Sequence, residues 1–283
     1  MNYRLLRFPG GKSKAVTLSY DDGTDYDGKL LEILNRYGLK CTLNINSKRF
    51  LRGENFSVDD ARSALKEGHE IAIHGAEHLA PCLVAPAAAV RDAIVCREEL
   101  ENALGIIIRG MAYPDSGISR FNNGSDYGEV RAYLRAVGVA YARSLGHDND
   151  RFLLPDDWYA WMPTAHHNNP GLFDYIEKFL SLDLDKGWPS GRDPRLFYIW
   201  GHAYEFERQN NWDRLEKICA ALGGKDGIWY ATNIEIHDYI ESYRALHVST
   251  DGRRVYNPTA TEIVFCENDK NYKVSPGETV LID

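Results

Sequence analysis

Residues 15–46 read AVTLSYDDGTDYDGKLLEILNRYGLKCTLNIN, and they set the pattern for most of the chain. The run from Ala15 to Tyr20 is short, apolar and rich in strand formers, and CTLNIN, from Cys41, is another of the same kind. Between them, Asp27 to Tyr37 places Leu30, Leu31 and Leu34 on one helical face and stops at Gly38. A strand, a helix and a second strand of this length imply two parallel strands joined by a crossover.

The same unit recurs on the carboxyl side. Strand-like runs are EIAIH (70–74), IIIRGMAY (106–113), VAYAR (139–143), LFYIW (196–200) and GIWYAT (227–232). Helical patterns are expected over 57–67, 87–104, 127–137, 172–182, 212–222 and 234–246. The first of these opens at Ser57-x-x-Asp60 and closes at Gly68, a cap at each end. Seven or eight such units fit an α/β fold of the (β/α) barrel type better than an open sheet. From His247 the pattern changes to short alternating runs, RVYN, EIVFC, NYKV and ETVLI, separated by turn residues. The expected division is a barrel over 1–246 and a small antiparallel β appendage over 247–283.

Composition bounds the function. The chain has 283 residues, 44% hydrophobic and 26% charged, which suits one large domain with its own core. Its net charge of −8 excludes broad binding to a phosphate backbone, so nucleic acid is not an expected partner. No run of about 18 apolar residues is present, so no membrane span is expected. The amino terminus, MNYRLLRFPGGKSK, lacks the apolar segment of about 7–15 residues that a secretory signal needs. The expected location is therefore the cytoplasm. Five cysteines, Cys41, Cys82, Cys96, Cys219 and Cys266, are odd in number, widely spaced and without a CxxC, as expected of buried thiols in a reducing compartment. A homo-oligomer is compatible with all of this.

Two motifs mislead. Gly10-Gly11-Lys12-Ser13 resembles the end of a phosphate loop, but Leu6 stands where the leading glycine belongs, and a strand follows where a helix must. His69-Glu70 with His74 is H-E-x-x-x-H, one residue too long for a zinc-protease helix.

Three other clusters carry chemistry, each at an expected strand end. The first is Ser19-Tyr20-Asp21-Asp22-Gly23. Adjacent carboxylates at the mouth of a barrel are costly unless a cation neutralises them. The second is His74-Gly75-Ala76-Glu77-His78, two imidazoles able to turn onto one ion. With Asp22 they would supply two nitrogens and one oxygen and leave positions open, as a catalytic zinc- or iron-type site requires. The third is Trp200-Gly201-His202-Ala203-Tyr204-Glu205, where His202 suits a proton donor.

In order and placement these clusters resemble the polysaccharide deacetylases of the NodB homology type, carbohydrate esterase family four. Ser19 to Gly23 is similar to that family's Thr-Phe-Asp-Asp-Gly motif. Glu70 to His78 is similar to its His-x-x-x-His motif, and Trp200 to His202 to its late histidine element. Ala112-Tyr113-Pro114-Asp115 is similar to its third motif. The resemblance spans roughly residues 10–245. It implies a distorted (β/α) barrel and a metal-dependent amide hydrolase that removes acetyl groups from N-acetylated sugars or oligosaccharides. By the same resemblance Asp22, His74 and His78 hold one divalent metal, zinc first and cobalt, nickel or manganese as alternatives. Asp21 becomes the general base, His202 the general acid, and Asp115 the main-chain donor to the oxyanion. Tyr113, Trp158, His166, Trp200 and Glu205 are expected at the substrate. Trp161, Tyr204 and His167 are weaker candidates.

The chain departs from the family pattern at two positions. Ala112 stands where the family has an arginine that pairs with the base, leaving Arg109 or Arg143 as substitutes. Leu154 stands where the family has the carboxylate that orients the acid histidine, three residues before Asp157-Trp158. Glu205 or Asp156 is left for that role. The absence of a signal and the change at Ala112 leave a second reading open, a hydrolase of another non-peptide C–N bond, in a cyclic imide or ureide, on the same barrel.

Overall fold

The computed structural model describes residues 3–53, 55–188 and 191–283. In chain order its strands and helices are β1 (Arg4–Arg7), β2 (Lys14–Asp22), α1 (Asp27–Arg36), β3 (Cys41–Ile45), α2 (Ser47–Leu51), α3 (Val58–Lys66), β4 (Glu70–Ile73), α4 (Pro86–Leu104), β5 (Gly110–Ala112), α5 (Tyr127–Ala136), β6 (Tyr141–Arg143), β7 (Ala165–His166), α6 (Leu172–Ser181), β8 (Arg195–Gly201), α7 (Ala203–Arg208), α8 (Trp212–Leu222), β9 (Ile228–Tyr230) and α9 (Asn233–Arg244). Five short strands follow: β10 (His247–Val248), β11 (Arg254–Tyr256), β12 (Ile263–Glu267), β13 (Lys270–Val274) and β14 (Thr279–Leu281).

One parallel sheet organises the molecule, in the order β6-β5-β4-β3-β2-β8-β7, with β9 paired to the start of β2. Every pairing in it is parallel, so the carboxyl ends of the strands share one rim. The sheet curls into a distorted barrel. Its two edges approach through the segment around β7. The Trp161 N–H donates to the Ala142 carbonyl on the β6 side, while the Thr164 N–H donates to the Tyr198 carbonyl on the β8 side. The central strand β2 is buried at seven consecutive positions, Ala15 to Asp21, as a parallel strand covered on both faces should be. The helices lie outside and present the expected faces, with Leu30, Leu31 and Leu34 of α1 all buried. The expected cap on α3 is present, Ser57 and Asp60 exchanging hydrogen bonds at its amino end.

The remaining strands form two small antiparallel sheets, β1-β12-β13 and β10-β11-β14. A division at 246/247 would leave β1 with the barrel, but β1 pairs antiparallel with β12, Arg4 opposite Glu267 through Arg7 opposite Val264. Four residues of strand carry too little pattern for this to be read in advance. These sheets share a second core with the floor of the barrel, in which Phe8, Trp161, Tyr198, Tyr239, Ile263 and Phe265 pack together. The Tyr239 hydroxyl ties the units by donating to the Arg7 carbonyl (2.8 Å) and accepting the Val264 N–H (3.0 Å).

The phosphate-loop look-alike is spent on structure. The N–H groups of Gly11 and Lys12 both donate to the Phe8 carbonyl, and Lys12 Nζ donates to that of Ile228. All five cysteines are buried free thiols. Among the described residues no helix is long and apolar enough to cross a membrane.

Candidate active site and metal centre

Asp21 and Asp22 end β2 at the rim. The pleat sends them to different places. Asp21 is 2% exposed. Its Oδ1 accepts from Asn44 Nδ2 on β3 (2.8 Å), and its Oδ2 accepts from Arg143 Nη2 at the end of β6. Burial alone would raise this carboxyl. The Arg143 guanidinium outweighs burial, with His74 and His202 adding to it, and holds Asp21 below its ordinary value. Arg143 therefore makes the pairing with Asp21 that Ala112 cannot make. Arg109, the other candidate, turns away and pairs with Asp238 on α9 through both guanidinium nitrogens.

His74 follows β4 and is 2% exposed. Its Nδ1 lies 2.9 Å from the Ala112 carbonyl, which can only accept, so the ring proton sits there and Nε2 presents its lone pair. Burial keeps the ring below its ordinary pKa, in the neutral form that ligates. His78 arrives on the next loop, its ring 4.8 Å from that of His74 and edge-on to it. Asp92 of α4 shapes that loop. Its carboxylate accepts the N–H groups of Glu77 (2.7 Å) and Leu79 (3.4 Å). Gly75 has φ +77°, and a Cβ there would lie 2.3 Å from Asp92 Oδ2, so the turn admits only glycine.

These elements bring three expected ligands together. Asp22 Oδ1 lies 3.8 Å from His74 Nε2 and 3.8 Å from His78 Nε2, and the three donor atoms fall within 4.8 Å of one another. Two imidazoles and a carboxylate, one imidazole fixed by a carbonyl behind it, fit a divalent ion that keeps open positions. Backbone strain marks the same place. Asp22 (φ 80°), His78 (φ 59°) and Asp115 (φ 50°) are among the few non-glycine residues with positive φ, a cost that concentrates at functional sites.

His202 follows β8 and caps α7. Its Nε2 is 4.0 Å from Asp21 Oδ2, and its Nδ1 is 3.6 Å from Glu205 Oε2. Burial opposes protonation of this ring, but the carboxylates of Glu205, Asp21 and Asp22 raise its pKa. Glu205 is crowded by imidazoles, with His166 Nε2 at 2.9 Å and His167 Nε2 at 3.1 Å. Burial would raise its carboxyl, yet His166, His167 and His202 together push it far down.

Of the expected substrate residues, Trp200 is at the site. Its ring lies 4.5 Å from that of His166 and 5.9 Å from that of His202, with the Arg143 guanidinium 4.8 Å from its centre. Tyr204 stands 5.1 Å from His202. Asp115 is exposed at the rim beside Pro114, which abuts Gly75. Two residues lie elsewhere. Tyr113 is buried and spends its hydroxyl on the Tyr159 carbonyl. Trp158 packs against Trp161 and His237 in the second core, its Nε1 donating to Glu241. Trp161 is 1% exposed in the same core. Leu154 packs there too, and Asp156 is exposed without a place at the site. Asn44 and Asp92 went unnamed in the sequence reading. Neither carries a motif, and only the fold brings them to the site.

With this geometry in place, a family model described as polysaccharide deacetylase matches residues 8–138, which contain Asp21, Asp22, His74, His78 and Asp115. Over that segment the chain is similar to the polysaccharide deacetylase family. The fold extends the likeness past that segment. A crystal structure assigned to a polysaccharide deacetylase from Mycobacterium smegmatis superposes with a TM-score of 0.59 at 16% identity, over 85% of this chain and 94% of that one. A second, from Pseudomonas aeruginosa and likewise assigned, gives 0.56 at 14%, over 82% and 92%. The Puue allantoinase gives 0.58 at 14%, over 82% and 91%. At these identities the shared property is the barrel, which the polysaccharide deacetylase segment and the later His202 strand build together. No curated protein sequence matches the chain.

Proposed function

We propose that this chain is a metal-dependent amide hydrolase that removes the acetyl group from an N-acetylated sugar or oligosaccharide. The observation that carries the reading is the meeting of Asp22, His74 and His78 within 4.8 Å, with Asp21 beside them, all inside the segment that the polysaccharide deacetylase model matches, and with His202 of a later strand 4.0 Å from Asp21. Zinc is the ion we assign, since two imidazoles and one carboxylate suit it. When bound, such an ion acidifies water and polarises an amide carbonyl.

The chain's own groups supply the rest. Asp21, held ionised by Arg143 and fixed by Asn44, is placed to accept a proton from the attacking water. The main-chain N–H of Asp115 at the rim is a donor for the oxygen that gains charge. An amine leaves poorly unless it is protonated. His202, with its pKa raised, carries the proton that the leaving nitrogen needs, and Nε2 is the atom that faces the site. Trp200 offers a flat apolar face beside these groups, suited to a sugar ring. The products are acetate and a free amino sugar.

The test is a panel of N-acetylated mono- and oligosaccharides, with a cyclic imide and a cyclic ureide, incubated with zinc-loaded and metal-stripped protein. Zinc-dependent release of acetate with an equal amount of primary amine is expected. Ring opening of the cyclic substrates without acetate release would replace this reading with the second one.

A further inference from the structure

Two loops at the rim carry site residues without a strand or helix to hold them. Residues 74–85, between β4 and α4, include His78, and residues 113–126, between β5 and α5, include Asp115. Among the described residues no acceptor takes the Asp115 N–H, so it is available to a substrate oxygen. Asp92 secures the first loop, but it accepts N–H groups only as far as Leu79. The rest of that loop is held by the second one.

Cys82 is fully buried where the two meet. It donates its N–H to the Gly117 carbonyl (3.1 Å), accepts the Asn122 N–H at its own carbonyl (3.2 Å), and places Sγ 3.4 Å from Ser116 Oγ. Asn123 completes the join. Its Nδ2 donates to the Pro81 carbonyl (2.8 Å) and to the Val84 carbonyl, while its Oδ1 accepts the Ser125 N–H (3.1 Å) and hydroxyl (2.8 Å). These partners fix which way the amide faces, because carbonyls only accept and a main-chain N–H only donates. Both protons of Nδ2 therefore go to the loop that carries His78. At the other end of the join, Ser116 follows Asp115 directly. Pro114 abuts Gly75, where a Cβ would lie 3.3 Å from its Cγ.

We infer that Asn123 is a positioning residue that joins the two rim loops into one body, so that His78 and the Asp115 N–H keep a fixed separation. Asn123 itself contacts neither the ligand nor the substrate; it acts through the carbonyls of Pro81 and Val84. That the Asp115 N–H serves the reaction rests on the proposed function, whereas the joining of the loops does not. The inference also names the group that matters. An aspartate at 123 has the same shape and keeps both Ser125 bonds, but it has no donor for the two carbonyls and sets an anionic oxygen against them.

The experiment compares the full chain as wild type, Asn123→Asp and Asn123→Ala, the last removing the donors without adding a charge. Hydrogen exchange of the metal-free protein should be roughly 10-fold faster in both variants over residues 76–85 and 113–125 together, the scale of two lost hydrogen bonds, with the barrel strands unchanged. Cobalt in place of zinc reports ligand geometry through its visible bands, which should shift in both variants. Zinc affinity, from competition with a chelator, should fall about 10-fold. At saturating zinc, on the substrate that the panel identifies, kcat should fall about 10-fold with KM unchanged, short of the about 10²–10³-fold that losing an oxyanion donor outright costs. A merely structural asparagine would lower the urea midpoint and leave the cobalt bands and kcat of folded molecules at wild-type values, and that result would overturn the inference. Faster exchange over 113–125 alone would overturn it too. If wild type releases acetate from no saccharide while both loops loosen together and the bands shift, the proposed function falls and the joining of the loops stands.

Discussion

At the scale of single residues, Asp21 and Asp22 are neighbours with opposite surroundings. Asp21 is saturated by Arg143 and Asn44, whereas Asp22 shares its space with two imidazoles that face it from 3.8 Å. The expected separation is clean. Asp22→Ala and His74→Ala should each lose bound zinc and activity together. Asp21→Asn should keep the metal and lose turnover by about 100-fold or more, the scale of general-base catalysis. Elemental analysis of the purified variants decides this, and full zinc content in Asp22→Ala would defeat the ligand assignment. The tryptophans separate in the same way. Trp158→Ala should destabilise the fold by about 3 kcal/mol or more, the usual result of emptying a packed aromatic site, with KM unchanged for molecules that remain folded. Trp200→Ala should raise KM and leave the urea midpoint nearly where it was. Aromatic residues in a sequence show no end of the barrel, which is why Trp158 and Trp200 read alike before the fold was known.

At the scale of elements, the ligand set depends on how one loop is held. His74 is fixed by the Ala112 carbonyl at the end of β5, but His78 depends on the turn that Gly75 permits and Asp92 secures. Asp92→Ala removes the acceptor for two N–H groups without touching a ligand. It should lower zinc affinity about 10- to 100-fold, the usual cost of losing an outer partner of a metal site, while circular dichroism stays native. Affinity unchanged in a competition titration against a chelator would show that the loop holds its shape alone. Much of this was legible beforehand. The runs at β2, β4 and β8 are long enough to read, each ends in its chemical cluster, and parallel strands put those ends on one rim. What could not be read is contact across the sheet. Arg143 and Asp21 lie on strands four places apart in the sheet order, and only curvature of the sheet lets them meet. Asn44 and Asp92 belong to no pattern for the same reason. Strand β1 was hidden by its length, since RLLR pairs with residues about 260 positions away, where local periodicity carries no information.

At the scale of the whole molecule, the barrel floor is closed by a buried carboxyl on the end of the sheet opposite the site. Glu70 begins β4 and is 7% exposed. It accepts from the Tyr141 hydroxyl (2.7 Å), the Thr42 hydroxyl (2.7 Å) and the Ile234 N–H (2.9 Å), and so ties three strands to the start of α9. Burial, only partly offset by these donors, raises its pKa from 4.5 to about 7. An acid raised on folding binds its proton more tightly in the folded state. Its contribution to stability is thus complete below about 4.5 and is lost as the pH climbs through about 7. Across that window the contribution is on the order of 3 kcal/mol. Asp27, buried behind the turn that follows Asp22, is raised in the same sense to about 8, so only a comparison with a variant isolates Glu70. Glu70→Gln keeps the size and an acceptor for Thr42 and Ile234, and its amide can donate to the Tyr141 oxygen. Urea unfolding between pH 5 and 8 should give curves that diverge, with wild type losing stability relative to Glu70→Gln as the pH rises. Parallel curves over the whole range would mean that Glu70 is ionised in the fold and that the floor of the barrel tolerates the charge.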